Sequence, residues 1–378
     1  MLQMIFIISI LCLFTTYSGY IVFLYAVRLF CKKPAAKKQY FPHVSIIINA
    51  HNEAQIIRDK IENTLSLDYP SDKLEIVVSS DGSDDKTVEI SKEYEFRRVK
   101  VFDYKEHKGK VHAINQSVRK TSGEIIVFTD ANAMLDRKAV MLLTKNFSDD
   151  KVGCVCGRLC YKNPETNQVG ENFYKRYENY LRELESQTGS ILSAEGSLFS
   201  IRKSLFHEIP EAFGEDVFLV YLTVQKNKRA IFEKEAVSVE DFCISEKDQI
   251  KRRARVVSRN LVMLLKNISL LNPFLFGIYS LKLLFHKVFR WLSPFFLIAV
   301  FFTNMYLLKN YPFYVAIFVL QVLFYVLACS HMIFFYLFHK KRPLFYIPYF
   351  FAASNMGMLL GFFYFFMNRS PIKWNIAR

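Results

Sequence analysis

The chain has 378 residues, of which 52% are hydrophobic, including 37 Phe and 21 Tyr, yet it carries a formal net charge of +15. This excludes an ordinary soluble globule and a disordered chain, and leaves enough length for a large folded domain beside membrane segments. The excess of Lys and Arg suits anionic lipid and a phosphate-bearing substrate. Nucleic acid is not an expected partner, because no recognised nucleic-acid motif occurs and the basic cluster lies beside apolar spans.

Residues 2–27 are almost wholly apolar, longer than the roughly 20 residues one bilayer crossing needs. No Lys or Arg precedes them and no small-residue cleavage site follows, so residues 1–31 read as an uncleaved anchor rather than a signal peptide. Arg28, Lys32, Lys33, Lys37 and Lys38 follow directly, and the positive-inside rule predicts a cytoplasmic location for what comes next. Residues 42–245 then alternate. A strand is predicted over 44–49, a helix over 53–67 with Ile56, Ile57, Ile61 and Leu65 on its apolar face, and a strand over 74–79. Helices over about 85–95 and 109–120 and a strand over 124–129 complete the pattern. Such alternation predicts an α/β domain with a mostly parallel, doubly wound sheet. Two of the strands run into acids, Asp81 and Asp130, which delivers carboxylates to the carboxyl edge where such sheets bind ligands.

Residues 246–285 are read as amphipathic interface helices. In 246–266, Lys247, Lys251, Arg252, Arg253, Arg255, Arg259 and Lys266 interleave with Val256, Val257, Leu261, Leu264 and Leu265, a pattern suited to the inner membrane surface. Residues 286–368 form the C-terminal membrane region, with spans expected at about 288–308, 312–337 and 345–367. The basic loop 339–343 is expected on the cytoplasmic side. Three spans would then place the tail outside, although it holds Arg369, Lys373 and Arg378, so a re-entrant last segment and a departure from the rule both stay open. Seven cysteines include Cys154, Cys156 and Cys160, but no CxxC pair exists, and they read as reduced thiols rather than metal ligands.

In order along residues 42–260 stand Asn49–Ala54 (NAHNEA), Ser80–Thr87 (SDGSDDKT), His107–Lys110 (HKGK), Thr129–Leu135 (TDANAML), Glu195–Lys203 (EGSLFSIRK), Gly214–Leu219 (GEDVFL) and Gln249–Arg255 (QIKRRAR). Together they resemble membrane-bound family 2 glycosyltransferases, the inverting class with a GT-A fold that includes hyaluronan, cellulose and poly-N-acetylglucosamine synthases. The resemblance implies a Rossmann-like GT-A domain between N- and C-terminal transmembrane helices. It implies transfer of a sugar from a nucleotide diphosphate donor, UDP being the expected nucleotide, to a glycan or lipid-linked acceptor at the cytoplasmic membrane face, in cell-envelope or exopolysaccharide synthesis.

Residue by residue, the resemblance gives Asn52, Glu53 and Asp81 to the nucleoside and Lys110 to the phosphates. Helix N-terminal roles explain Asn52 and Glu53 equally well, and Asp84 and Asp85 are expected to cap the following helix. Asp130 and Asn132 match the DxD position, where Mg²⁺ or Mn²⁺ would sit; Asn132 replaces an acid and lowers the charge available to the metal. Asp216, beside Glu215, matches the catalytic base, and single-displacement inversion needs one such carboxylate and no nucleophile; both acids also suit a helix cap. Gln249, Arg252 and Arg253 occupy a QxxRW-type motif whose Trp is absent, which weakens a processive assignment; the arginines would steady the leaving diphosphate or anchor lipid headgroups. His286 is expected to be structural. The alternatives are a processive synthase exporting its polymer, with partner subunits for export, and an inactive membrane scaffold of the same fold.

Overall fold

The computed structural model describes residues 1–162, 169–241, 246–309, 311–338 and 342–367. These divide into two compact units, one of residues 28–162 and 179–241, the other of residues 1–27, 169–178 and the described residues from 246 onward.

The first unit is built on one eight-stranded sheet. Its strands are β1 Val44–Ala50, β2 Leu74–Asp81, β3 Val99–Tyr104, β4 Ile125–Asp130, β5 Met134–Leu135, β6 Val152–Tyr161, β7 Phe199–Arg202 and β8 Arg229–Glu240, in the order β3-β2-β1-β4-β7-β6-β8-β5. β1 is buried along its whole length and rich in β-branched residues, as a central strand covered on both faces requires. β3, β2, β1 and β4 are mutually parallel, which is the half that the β–α alternation predicted. Beyond β4 the sheet is mixed. β7 runs antiparallel to β4 and β6, β6 and β8 are parallel, and β5 is antiparallel to β8. The join is packed by Phe128 of β4 against its register partner Phe199 of β7, with ring centroids 4.8 Å apart.

β2 and β4 each extend to include their terminal acid, Asp81 and Asp130. The helices are shorter than the periodicity suggests: Ile57–Leu65 and Thr87–Lys92 replace the expected 53–67 and 85–95. The difference at 53–56 is a turn in which the Glu53 carbonyl accepts from Ile56 N–H and Ile57 N–H. The core runs through Ile46, Ile48, Val78, Val127, Val155 and Ile231, with Ile57, Ile61 and Phe147 packed onto them. Cys154 and Cys156 lie buried on β6, and burial pushes the Cys154 thiol up, which keeps it inert.

The stretch after the N-terminal helix is strapped to this unit. Lys33 N–H donates to the Gln187 carbonyl at 2.8 Å, Arg229 donates to the Lys33 carbonyl at 2.6 Å, and Lys37 pairs with the buried Glu233 at 2.7 Å. Lys37 therefore serves the fold as well as any charge rule.

In the second unit four helices are long and apolar enough to cross a membrane: Leu2–Phe30, Ile278–Leu307, Pro312–Phe338 and Leu344–Phe366. Phe6, Val300, Leu307 and Tyr314 form a small core among the first three. The expected interface helix is Glu246–Lys266, and its buried side, including Ala254 and Val257, packs on helix Pro343–Phe366. Gly361 permits that approach, since a Cβ there would stand 2.8 Å from the Ala254 carbonyl oxygen. His286 is 1% exposed, with its ring against Tyr20 and Nε2 3.5 Å from Glu178, whose carboxylate also pairs with Arg290. The basic loop 339–341 and the tail residues Arg369, Lys373 and Arg378 lie outside the described residues, as does the Lys247 side chain.

Burial would raise the Glu233 pKa, but Lys37, Asn146 and Lys145 outweigh it and hold the carboxyl below its usual range. A depressed folded pKa contributes stability that is present above the unfolded value and lost as pH falls through the folded one. Thermal unfolding of wild type and Glu233→Gln should therefore differ most near pH 6 and converge towards pH 3.

Candidate active site

The carboxyl ends of β1, β2 and β4 lie side by side, because register pairs Ala50 with Ser80 and Asn49 with Asp130. Three loops leave this edge, and each is fixed by hydrogen bonds to the next. Asn52 sits at φ 56°, a conformation Asn tolerates, and its side-chain oxygen accepts from Asp84 N–H at 2.8 Å. Glu53 is buried, and its backbone N–H donates to Thr87 Oγ1 at 2.7 Å. The N-cap position of helix Thr87–Lys92 is Lys86 rather than the expected Asp84 or Asp85; Asp85 instead accepts from Thr87 N–H and from Ala54 N–H, which joins the helix start to the β1 loop.

Asp81 is 3% exposed. Its two carboxylate oxygens accept from Lys108 N–H at 3.0 Å and Gly109 N–H at 2.8 Å, which secures the HKGK loop to the end of β2. The rings of His51 and His107 stack 3.9 Å apart, and the Nδ1 of each lies within hydrogen-bond reach of the Asp81 carbonyl, at 2.8 and 3.1 Å. Gly82 has φ +62°, and a Cβ on it would stand 2.4 Å from the His107 backbone nitrogen, so only glycine lets these loops meet.

Lys110 opens helix Lys110–Lys120 and reaches two acids from distant parts of the chain. Its Nζ lies 2.6 Å from Asp130 Oδ1 and 2.6 Å from Glu215 Oε1. Burial alone would push this ammonium down, but the two carboxylates outweigh it and hold its pKa well above the ordinary lysine value. The cluster is only partly open, at 13%, 18% and 11% side-chain exposure for Lys110, Asp130 and Glu215. Gly196 faces it: all three charged ends lie within 3.9 Å of where its Cβ would be. Glu215 and Asp216 form the first turn of helix Glu215–Gln225, where the macrodipole favours acids. Asp216 Oδ1 accepts from Val217 N–H at 3.0 Å, and its carbonyl accepts from Ala194 N–H, which ties the EGSLFS segment to the helix start. Glu195 in that segment is paired with Arg182 at 2.5 Å.

The structure thus brings Lys110, Asp130 and Glu215 together, with Asp216 the next residue along. Asn132 is exposed two residues after Asp130. Gln249, Arg252 and Arg253 belong to the other unit. There Gln249 and Arg253 line a small pocket with Tyr349, Phe350 and Ser354, and the Arg253 guanidinium lies 5.0 Å from the Tyr174 ring centre. Sequence reasoning missed Arg182, the His51–His107 stack and Lys60. Lys60 is fully buried, with Nζ donating to Thr129 Oγ1 at 2.9 Å and to the Ala133 carbonyl. Burial pushes its pKa down to about 7, with Asp130 and Glu240 acting the other way. The signal was present: Lys60 falls on the Ile57–Ile61–Thr64 stripe of its helix, where a solvated lysine has no place.

The donor set suits a divalent metal that arrives with a diphosphate rather than a resident ion. Asp130, Glu215 and Asn132 offer hard oxygens, and Mg²⁺ is commonly held by one or two carboxylates plus substrate phosphates. Among the described residues no group of three or more His, Cys, Asp or Glu gathers into a metal cage.

The parallel strands and the acids at their carboxyl edge define a GT-A fold. Residues 45–210 match the glycosyl transferase family 2 model, and the chain carries a domain of that family. It is 31% identical over 134 residues to poly-beta-1,6-N-acetyl-D-glucosamine synthase of Staphylococcus aureus, covering 35% of this chain and 32% of that protein. The Staphylococcus epidermidis synthase is 30% identical over 132 residues, covering 34% and 31%. The chain thus spans about a third of the length of these curated relatives. Among solved structures, the mannosyltransferase PcManGT from Pyrobaculum calidifontis, in complex with GDP-Man and Mn²⁺, superposes with a TM-score of 0.71 at 21% identity. That match covers 98% of this chain and 100% of the other, so the two share a fold.

Gly82→Ala should destabilise the catalytic unit by at least ~1–2 kcal/mol, since the left-handed backbone disfavours a side chain and the added Cβ meets backbone. Thermal unfolding measures this, and nucleotide binding should weaken in parallel as the HKGK loop is displaced.

Proposed function

We propose that the protein is an inverting glycosyltransferase that moves a sugar from a nucleotide diphosphate donor, a UDP-sugar, to a glycan or lipid-linked acceptor at the cytoplasmic face of a membrane, in cell-envelope or exopolysaccharide synthesis. The observation that carries this reading is the Lys110–Asp130–Glu215 cluster at the carboxyl edge of the sheet, with Asp216 the next residue on the same helix turn.

In this mechanism Asn52, Glu53 and Asp81 frame the nucleoside, Asp81 chiefly by fixing the HKGK loop. Lys110 exchanges a carboxylate partner for phosphate oxygens when the donor enters, so its ammonium stays paired at each stage. Asp130 and Asn132 would hold a divalent metal, and the metal, when bound with the diphosphate, neutralises charge on the leaving nucleotide. Asp216 takes the proton of the acceptor hydroxyl as that oxygen attacks the anomeric carbon and the bond to the diphosphate breaks. Glu215 holds Lys110 in place and completes the acidic motif. Gln249, Arg252 and Arg253 on the basic helix stabilise the departing diphosphate. The helices Leu2–Phe30, Ile278–Leu307, Pro312–Phe338 and Leu344–Phe366 would each cross the membrane, with lipid around them.

The test is nucleotide release by detergent-purified protein against a panel of UDP- and GDP-sugars, with Mg²⁺, Mn²⁺ or EDTA and a native lipid extract as acceptor. Asp216→Asn should lower turnover by about 10²–10⁴-fold while leaving donor binding intact, the range expected for a lost general base. EDTA should abolish release. Wild-type turnover by Asp216→Asn would remove Asp216 from the role. Product sizing then separates one sugar added from a polymer built.

A further inference from the structure

We infer that Lys60 is a positioning residue for the turn carrying Asp130 and Asn132, acting through Thr129 and Ala133. This rests on the proposed role of that turn in holding the metal and diphosphate.

The two acceptors of the Lys60 amino group bracket the turn. Thr129 immediately precedes Asp130, and Ala133 immediately follows Asn132. Both are fully buried, as is Lys60. One helical step further on, Asn63 closes a reciprocal pair with Leu135: its side-chain nitrogen donates to the Leu135 carbonyl at 2.9 Å, and its oxygen accepts from Leu135 N–H at 2.8 Å. Helix Ile57–Leu65 thus grips residues 129–135 at three points through side chains on one face. Other contacts reach residues 129–135 from elsewhere: Asn49 Nδ2 donates to the Thr129 carbonyl at 3.4 Å, Lys110 pairs with Asp130, and Met134 and Leu135 pair with β8. Ala131 N–H donates to the Asn49 carbonyl at 3.2 Å and Ala133 N–H to the Asp130 carbonyl at 3.2 Å.

A lysine is an expensive way to fill space. Burying its amino group is costly before hydrogen bonds are counted, and a Met would fill the same volume without that cost. What Lys60 supplies and Met cannot is a pair of directed donors joining both ends of a turn whose side chains must meet a metal. Either protonation state can make those two bonds. Outer groups that orient metal ligands commonly matter as much as this geometry suggests.

The experiment compares Lys60→Met, Thr129→Val and Asp130→Asn with wild type, reading thermal unfolding, Mn²⁺ binding by electron paramagnetic resonance with saturating UDP or GDP, and kcat and KM for nucleotide release. Lys60→Met should unfold at the wild-type temperature or higher, yet bind Mn²⁺ about 10–100-fold more weakly, with kcat/KM falling by a similar factor. Wild-type Mn²⁺ binding by a folded Lys60→Met, or a loss that merely tracks a lowered unfolding temperature, would overturn the inference. If Lys60→Met does not fold, Thr129→Val carries the test: a smaller loss of Mn²⁺ binding supports the inference, and none overturns it. Asp130→Asn separates the two levels. Its binding Mn²⁺ like wild type defeats the reading of the turn itself, whereas a defect there with a normal Lys60→Met defeats only the role of Lys60.

Discussion

The geometry of the site depends on one ammonium held between two carboxylates. Lys110, Asp130 and Glu215 come from three segments separated by 20 and 85 positions, and the site requires the end of β4 to be joined to the start of helix Glu215–Gln225. The ion pairs make that join. Because the three groups are largely removed from water, taking away Lys110 leaves two carboxylates uncompensated in a poorly solvated place, which is costlier than losing a surface bridge. The same arrangement sets one cation between two acids at close range before any substrate arrives. In the proposed function a diphosphate would enter by exchange of partners at this cation.

The sheet supplies the frame in which such a join is possible. Parallel β1, β2 and β4 end in register, so their loops start at one edge, and each loop is bonded to its neighbour: Asn52 to Asp84, Asp85 to Ala54, Asp81 to the amides of Lys108 and Gly109. Antiparallel β7 then returns along β4, and the EGSLFS segment that leads into it faces the cluster from the other side. Loop rigidity here comes from side chains capping backbone groups, which is why short polar residues and glycine crowd the motifs.

Much of this was legible in the sequence. β1, β2 and β4 declared themselves as short apolar runs, the last two ending in acids, and the candidate membrane spans as long, mostly apolar ones. The antiparallel half was not legible. β6, β7 and β8 pair with partners remote in sequence, and no local period says that Phe199 will meet Phe128. The same limit applied within the site. The motifs named Lys110 and Asp216, but only the fold shows that Lys110 touches Glu215 as well as Asp130. Lys60 was overlooked because a lysine in a helix is ordinarily solvated, although its place on the apolar stripe argued otherwise.

The arginines of the basic helix show how far a run of like charges can conceal different surroundings. Arg252 is exposed, whereas Arg253, the next residue, has its guanidinium 5.0 Å from the centre of the Tyr174 ring and 5.6 Å from that of Phe350. Cation–π contacts of this kind contribute about 0.5–2 kcal/mol and fix the plane of the group. The backbone beneath is held as well, because Gly357 and Gly361 bring the last membrane helix against Ile250 and Ala254. Where the resembling enzymes place an aromatic ring, this chain places a cation and draws the rings from neighbouring helices. A planar, immobilised guanidinium presents a fixed fork of donors to phosphate, whereas an exposed neighbour samples lipid and solvent alike. The two arginines are therefore not interchangeable, and the ordered one is the better suited to meet an anion in a single geometry.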